Sequence, residues 1–356
     1  MSLRSSVTST KRQLRPIVSR HQGKIVFDGK EYWDFSSNDY LGFSEEKLLK
    51  DTAHFGSTGS RLLSGDSILF HQLEDELARF LNKESALVFN SGYQANVGII
   101  SALAGKGDAI FADRLVHASL IDGIRLSGAK LYRFHHNDMV HLRSLLQKNR
   151  THHSQSLIIT ESVFSMDGDL APLDDLAALK TEFHSTLYVD AAHGIGIFAP
   201  PTQADILVGT FGKAFGSFGA FVGCSAAIKD QLIQTCRSFI YSTALPLPVV
   251  AWNLAALELI QKTDRAKALL EKAALFTAKS QIVPILLANP NPVSEKLREL
   301  GYWALPINPP TVPQGQSRLR ISLTWHHPES VLFDLINALI GEANKENTIY
   351  FSKINV

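Results

Sequence analysis

From residue 85 to residue 225 the chain alternates short apolar runs with longer segments of helical period, and no other feature restricts its fold as much. The runs are "ALVF" (86–89), "AIFA" (109–112), "KLYRF" (130–134), "LIIT" (157–160), "LYVD" (187–190), "ILVG" (206–209) and "AFVGC" (220–224). Several are continuously apolar, the pattern of strands covered on both faces, and several intervening segments are long enough for crossover helices. The expectation is an α/β chain with a largely parallel seven-stranded sheet between helices.

Before the sheet, "HQLEDELARFL" places Leu73, Leu77, Phe80 and Leu81 on one helical face and its acids on the other. After Pro246 and Pro248 the pattern changes to a helix from about Val249 to Lys272, a Pro-rich stretch from Leu305 to Pro313, an alternating "RLRISLTW" and a last helix from about Glu329 to Ala343. This predicts an N-terminal segment (1–40), a large domain (41–245) and a smaller α+β domain (246–356).

A chain of 356 residues with 45% hydrophobic content can bury a sizeable core. Its 35 basic and 34 acidic residues leave a net charge of +1, which excludes an electrostatic footprint for nucleic acid or an anionic membrane and points to a small-molecule partner. No apolar run approaches the roughly 20 residues of a spanning helix, so a soluble, cytoplasmic protein is expected. Cys224 and Cys236 have neither a disulfide framework nor metal-ligand spacing and read as buried thiols; no metal site is expected. The Ser-, Thr- and Arg-rich start "MSLRSSVTSTKRQLR" bears a faint likeness to a transit peptide, and the preferred reading is a basic first helix.

In open α/β sheets, ligands bind beyond the carboxyl ends of the strands. Here those positions carry Asn90-Ser91-Gly92-Tyr93 after the first run, Asp113 and His117 after the second, Glu161, Ser165 and Asp167 after "LIIT", Asp190 and His193 at "LYVD", and Thr210 and Lys213 after "ILVG". Taken singly, each has a plainer role: a glycine turn for packing, an aspartate cap, a structural histidine, a surface lysine. Together they form a chemical set. A lysine among glycines can approach a carbonyl compound as a nucleophile. Asp190 can pair with a protonated pyridine nitrogen, and backbone amides at Ser91 to Tyr93, with Thr210, can hold a phosphate. His117 can cover a ring face. These parts match pyridoxal 5′-phosphate better than a nucleotide, since neither GxGxxG with its downstream acid nor GxxxxGK[ST] occurs.

The ordered motifs "FSSNDYLGFS", "GSRLLSG", "HQLEDELARFL", "FNSGYQAN", "DRLVHASLIDGIRLSGA", "TESVFSMDGDLAPL", "VDAAHGIGI", "GTFGKAFG", "IYSTALP" and "PPTVPQGQSRLRISLT" resemble the α-oxoamine synthases, a branch of the fold-type I pyridoxal-phosphate transferases. The resemblance runs from about Arg12 to Thr324. It implies that Lys213 carries the cofactor covalently, that Asp190 partners its ring nitrogen and that His117 stacks on the ring. It further implies cofactor contacts from Gly92, Tyr93, Ser165, His193 and Thr210, and a homodimer in which Ser242 and Thr243 reach a phosphate across the interface. For substrate, Arg320 resembles the arginine that grips an amino-acid carboxylate, a task suited to a bidentate guanidinium, with Asn38 nearby and His117 also in contact. Arg12 and Thr311 resemble substrate positions of the biotin-pathway branch, which condenses L-alanine with a pimeloyl thioester, carried on coenzyme A or an acyl carrier protein, and releases carbon dioxide. Glycine-using branches and a non-catalytic cofactor-binding sensor are the alternatives. Segments 44–55 and 198–205 are shorter than the family's, which bears on interface and acyl-carrier contacts rather than on the catalytic set.

Overall fold

The computed structural model describes residues 14–49, 55–346 and 349–350. These form two compact units, one discontinuous (residues up to 45, 166–168 and from 267 onward) and one built from 46–165 and 169–266.

The discontinuous unit begins with β1 (Ser19–His21), β2 (Lys24–Phe27) and β3 (Lys30–Asp34), an antiparallel meander. Its turns place Gln22-Gly23 and Asp28-Gly29 at positive φ, the geometry that tight two-residue hairpins require.

The second unit holds α1 (Ile68–Leu81), β4 (Ser85–Phe89), α2 (Gly92–Leu103), β5 (Ala109–Asp113), α3 (Ala118–Ser127), β6 (Lys130–Phe134), α4 (Met139–Asn149), β7 (Ser156–Glu161), α5 (Leu173–Glu182), β8 (Thr186–Asp190), β9 (Ile206–Thr210), β10 (Ala220–Cys224), α6 (Ala226–Thr235), α7 (Arg237–Ile240) and α8 (Leu247–Lys262). The seven strands β4 to β10 form one sheet in the order β4-β10-β9-β8-β7-β5-β6. All pairings are parallel except those of β10, which runs against both neighbours. Every residue of β5, β7, β9 and β10 is buried, which is why these strands read as unbroken apolar runs. Both cysteines are buried free thiols.

Two local expectations change. The acids of α1 do not all face water: Glu74 is buried, pairs with Arg61 at 2.7 Å and Lys229 at 3.0 Å, and accepts from the Val88 amide. A buried carboxylate with two cationic partners is affordable where a lone one is not. The helix expected over Val249–Lys272 is two helices, α8 and α9 (Arg265–Ala274), because Thr263 turns extended and ends the first.

The rest of the discontinuous unit contains β11 (Ile282–Leu287), α10 (Pro290–Glu299), β12 (Tyr302–Trp303), β13 (Pro306–Ile307), β14 (Arg318–Ser322), α11 (Glu329–Glu346) and β15 (Ile349–Tyr350). Strand β12 extends the first meander, while β13, β14, β11 and β15 form a second four-stranded sheet. The alternating "RLRIS" forms β14, and all five of its residues are buried, both arginines included.

Candidate active site

At the carboxyl ends of the parallel strands a cavity of about 220 Å³ is lined by Gly92, Tyr93, Asn96, His117, Ser119, Glu161, Ser165, Asp190, Ala192, His193, Thr210 and Lys213. Register explains its acids. Glu161 and Asp190 are directly paired across parallel β7 and β8, and paired residues of adjacent strands share a face. Asp190 is buried and clamped at both oxygens, Oδ1 accepting from the Ala192 amide at 2.9 Å and Oδ2 from Asn96 Nδ2 at 2.7 Å. Glu161 accepts from the His117 amide at 2.7 Å and the Ser165 amide at 3.3 Å, so it ties together the loops after β5 and β7. Burial first, then the charge of Asp190, pushes its pKa up to about 8 against the opposing pull of Lys213.

Helix α2 starts at the cavity. Ser91 caps it, its hydroxyl accepting from the Gln94 amide, and Gly92 is its first residue. Gly92 faces Thr210, with a Cβ built on it 3.8 Å from the threonine's, so the first turn of the helix opens beside the Thr210 hydroxyl, where its amides can receive an anion. Thr210 ends β9, donates to the Gly219 carbonyl at 2.9 Å and accepts from the Gly212 amide at 3.2 Å. Half-buried Lys213 follows in the turn.

The glycines around Lys213 divide their work. Gly209 makes room for the Phe221 ring, which a Cβ would meet at 2.4 Å, and Gly216 and Gly219 take positive φ to shape the turn. At Gly212, beside the lysine, a Cβ would make only ordinary contacts, 3.6 Å from Thr210 Oγ1 and 3.8 Å from the Ser217 carbonyl.

His117 caps α3, with Nδ1 accepting from the Ser119 amide at 3.3 Å and lying 2.8 Å from Ser119 Oγ. One edge of its ring is exposed, yet packing against the cavity wall desolvates it and lowers its pKa; Asp190 opposes this and Lys213 adds to it. Tyr93 stands edge-on to that ring at 6.2 Å and its hydroxyl donates to Asp122. His193 is buried in the same cavity.

Other expected residues lie elsewhere. Ser242 and Thr243 line a second, smaller cavity with Arg61, Asn90 and Gln94; Ser242 Oγ accepts from Gln94 Nε2 at 2.6 Å and the Thr243 carbonyl from Asn90 Nδ2 at 2.7 Å. In the discontinuous unit, Arg320 extends Nη1 to Ser322 Oγ at 2.6 Å, Nη2 to the Tyr40 hydroxyl at 3.3 Å, and both to Asn38 Oδ1 at 3.4 Å. Thr311 is exposed in a loop of that unit, and Arg12 lies outside the described residues. The sequence had not singled out Asn96 or Ser119 and had given Glu161 no task. The available signal was a polar residue inside the apolar helix "YQANVGIISAL" and an acid closing an apolar strand.

The profile of the family described as aminotransferase class I and II matches residues 30–339, and the chain belongs to that family of pyridoxal-phosphate enzymes. Within it, the chain is a member of the α-oxoamine synthase branch. An 8-amino-7-oxononanoate synthase from Geotalea daltonii is 43% identical over 370 aligned residues, covering 94% of each chain. The solved 8-amino-7-oxononanoate synthase of Francisella tularensis is 32% identical with a TM-score of 0.76, covering 88% of this chain and 98% of its own. The serine palmitoyltransferase of Sphingomonas wittichii superposes with a TM-score of 0.86 at 28% identity, covering 92% and 91%. The seven-stranded sheet is thus that of a fold-type I transferase. The cavity suits the family's cofactor: an open cradle at a helix N-terminus for a phosphate, a carboxylate held at both oxygens for a ring nitrogen, and a lysine for an aldehyde.

Proposed function

We infer that this enzyme is an 8-amino-7-oxononanoate synthase, a pyridoxal-phosphate acyltransferase of biotin biosynthesis that joins L-alanine to a pimeloyl thioester, releasing the thiol and carbon dioxide. The observation that carries this reading is the convergence of Lys213, Asp190 and His117 on one cavity, in a chain 43% identical to such a synthase along almost its whole length.

Pyridoxal phosphate, when bound, supplies an aldehyde for amines and a ring that withdraws electrons from the substrate's Cα. Lys213 Nζ, the amine of the cavity, would hold the cofactor's aldehyde and would be the base placed to take the substrate's α-proton. Asp190 keeps a proton on the ring nitrogen, a role suited to a carboxylate whose two oxygens are already oriented. The amides at the start of α2, with Thr210, receive the phosphate, and the imidazole of His117 covers the ring. Tyr93, Ser165 and His193 complete the walls. Arg320 is the guanidinium for the alanine carboxylate, supported by its prior alignment through Asn38, Tyr40 and Ser322. Thr311 and Arg12 are substrate contacts by their motifs alone.

The finer partners belong to the same proposal. The chain works as a homodimer, with Ser242 and Thr243 serving the partner's phosphate, and its acyl donor is carried by coenzyme A or an acyl carrier protein. Among the described residues no helix is long and apolar enough to cross a membrane, which agrees with a cytoplasmic enzyme.

The test is turnover of L-alanine and glycine, each with pimeloyl, acetyl and succinyl thioesters. Condensation of L-alanine with the pimeloyl donor, with a visible band that shifts on adding alanine, is expected. Turnover with glycine alone would overturn the assignment, and a colourless protein that cannot take up the cofactor would overturn catalysis altogether.

A further inference from the structure

Behind the cavity wall five side chains connect into one hydrogen-bond network that branches at Asn96. The Tyr188 hydroxyl lies 2.6 Å from Asn96 Oδ1, Asn96 Nδ2 lies 2.7 Å from Asp190 Oδ2 and 2.9 Å from Ser119 Oγ, and Ser119 Oγ lies 2.8 Å from His117 Nδ1. Tyr188, Asn96, Ser119 and Asp190 are all buried, so water does not compete for the bonds among these four, while His117 ends the network at an exposed position.

The direction of every bond is fixed by counting donors. Burial raises the Tyr188 phenol well above its ordinary pKa, so it stays protonated and donates to Asn96 Oδ1. The two protons of the Asn96 amide then go to Asp190 and Ser119. Ser119 Oγ accepts one of these and keeps a second acceptor site as well as its own proton, so the state of His117 Nδ1 decides which way their bond runs. That nitrogen accepts from the Ser119 backbone amide at 3.3 Å, a donor that cannot reverse, so it holds a lone pair. The remaining proton of a neutral imidazole must sit on Nε2.

We propose that Asn96 and Ser119 are positioning residues that lock the His117 ring in its Nε2–H tautomer and bind its orientation to that of the Asp190 carboxylate, so that the group meant for the ring's face and the group meant for its nitrogen move as a unit. His117 thereby presents a hydrogen-bond donor, not an acceptor. With Nδ1 engaged by the Ser119 amide, it cannot act as a base through that nitrogen. The proposal rests on the reading of His117 and Asp190 given above, but its test does not depend on turnover.

The experiment is a long-range proton–nitrogen spectrum of the holoenzyme labelled with ¹⁵N-histidine, with His117 assigned by its disappearance in His117→Gln. An unprotonated Nδ1 beside a protonated Nε2 at neutral pH is expected. Ser119→Ala, a small change that spares the fold, should mix the two tautomers and also shift the pH midpoint of the cofactor's visible band, which reports Asp190. Asn96→Leu should move both readouts and lower kcat about tenfold, the usual scale of an abandoned buried hydrogen bond. A proton on Nδ1 in the unaltered enzyme, or a Ser119→Ala variant in which either readout stays put, would overturn the relay. A normal nitrogen spectrum in an enzyme that prefers glycine would overturn the substrate assignment and leave the relay standing.

Discussion

His136, at the carboxyl edge of the seven-stranded sheet, and His327, inside the discontinuous unit, are both largely removed from water, yet their surroundings drive them to opposite charge states. Burial pulls the His136 pKa down, but the hydrogen bonds and charges of Asp113, 3.1 Å from Nδ1, and Asp169, 2.8 Å from Nε2, outweigh it and raise the value to about 10. His327 has no carboxylate. It donates to the Asp34 carbonyl at 3.2 Å, accepts from the Thr324 amide at 3.2 Å and packs on the Phe35 ring at 4.2 Å; burial, with Lys272 and His326 pushing the same way, lowers its pKa to about 3. The sheet edge thus retains buried charge and balances it, whereas this part of the other unit keeps its ring neutral. A binding edge must keep charged groups available to a ligand, and a packing core gains by having none.

The largest effect should come from emptying the charged edge of its one nucleophile. Lys213→Ala is expected to lower kcat by at least ~10³-fold, since no other side chain of the cavity offers an amine, while far-ultraviolet dichroism and the thermal midpoint stay close to those of the unaltered enzyme. A variant with substantial residual turnover would remove Lys213 from the chemistry.

The neutral core should fail in acid. Because the folded pKa of His327 lies below the ordinary 6.5, its contribution is complete above that value and is lost as pH falls toward about 3. The span corresponds to on the order of 5 kcal/mol. His327→Gln should flatten the acid limb of a urea-unfolding series between pH 4 and 7, with a modest loss at neutral pH. An unchanged limb would mean that other groups set the acid sensitivity.

How much of this was legible beforehand follows the same division. Each expected strand of the sheet appears within about a residue or two of its apolar run, because strands buried on both faces leave an uninterrupted hydrophobic signal. Knowing the strand ends located Asp190, Thr210, His193 and Lys213 together. The other unit sent a weaker signal: its strands are short, and in "RLRIS" the apolar run is interrupted by Arg318 and Arg320, which are buried among polar partners. Only motif resemblance pointed to Arg320. Asn96 and Ser119 were invisible for a different reason, since their tasks are set by bonds between α2, α3 and β8 that no local pattern encodes.

A smaller effect should separate charge from hydrogen bonding at the edge. Glu161 offers one carboxylate oxygen to the amide of His117 and the other to that of Ser165. Glu161→Gln keeps one acceptor and turns an N–H toward the remaining amide, so kcat/KM should fall about tenfold, with Glu161→Asp giving partial rescue. The pH–rate profile should also lose an ionisation near 8, because the carboxyl that titrates there is gone. A profile that keeps that ionisation would assign it to another group.

The smallest effect tests the other half of the histidine pair. With its folded pKa above the ordinary value, protonated His136 stabilises fully below about pH 6.5, and its contribution fades as pH climbs through about 10. The ring is partly open to solvent, so screening keeps the gain modest. His136→Gln should therefore lower the thermal midpoint by a few degrees at pH 6 and by progressively less toward pH 10, about a kilocalorie per mole at most. The mirror-image signs carry the discrimination: His327→Gln alters the acid limb and His136→Gln the alkaline limb. If both variants changed the same limb, the contrast between a charge-balanced edge and a neutral core would fail, and the two histidines would be reporting one global transition.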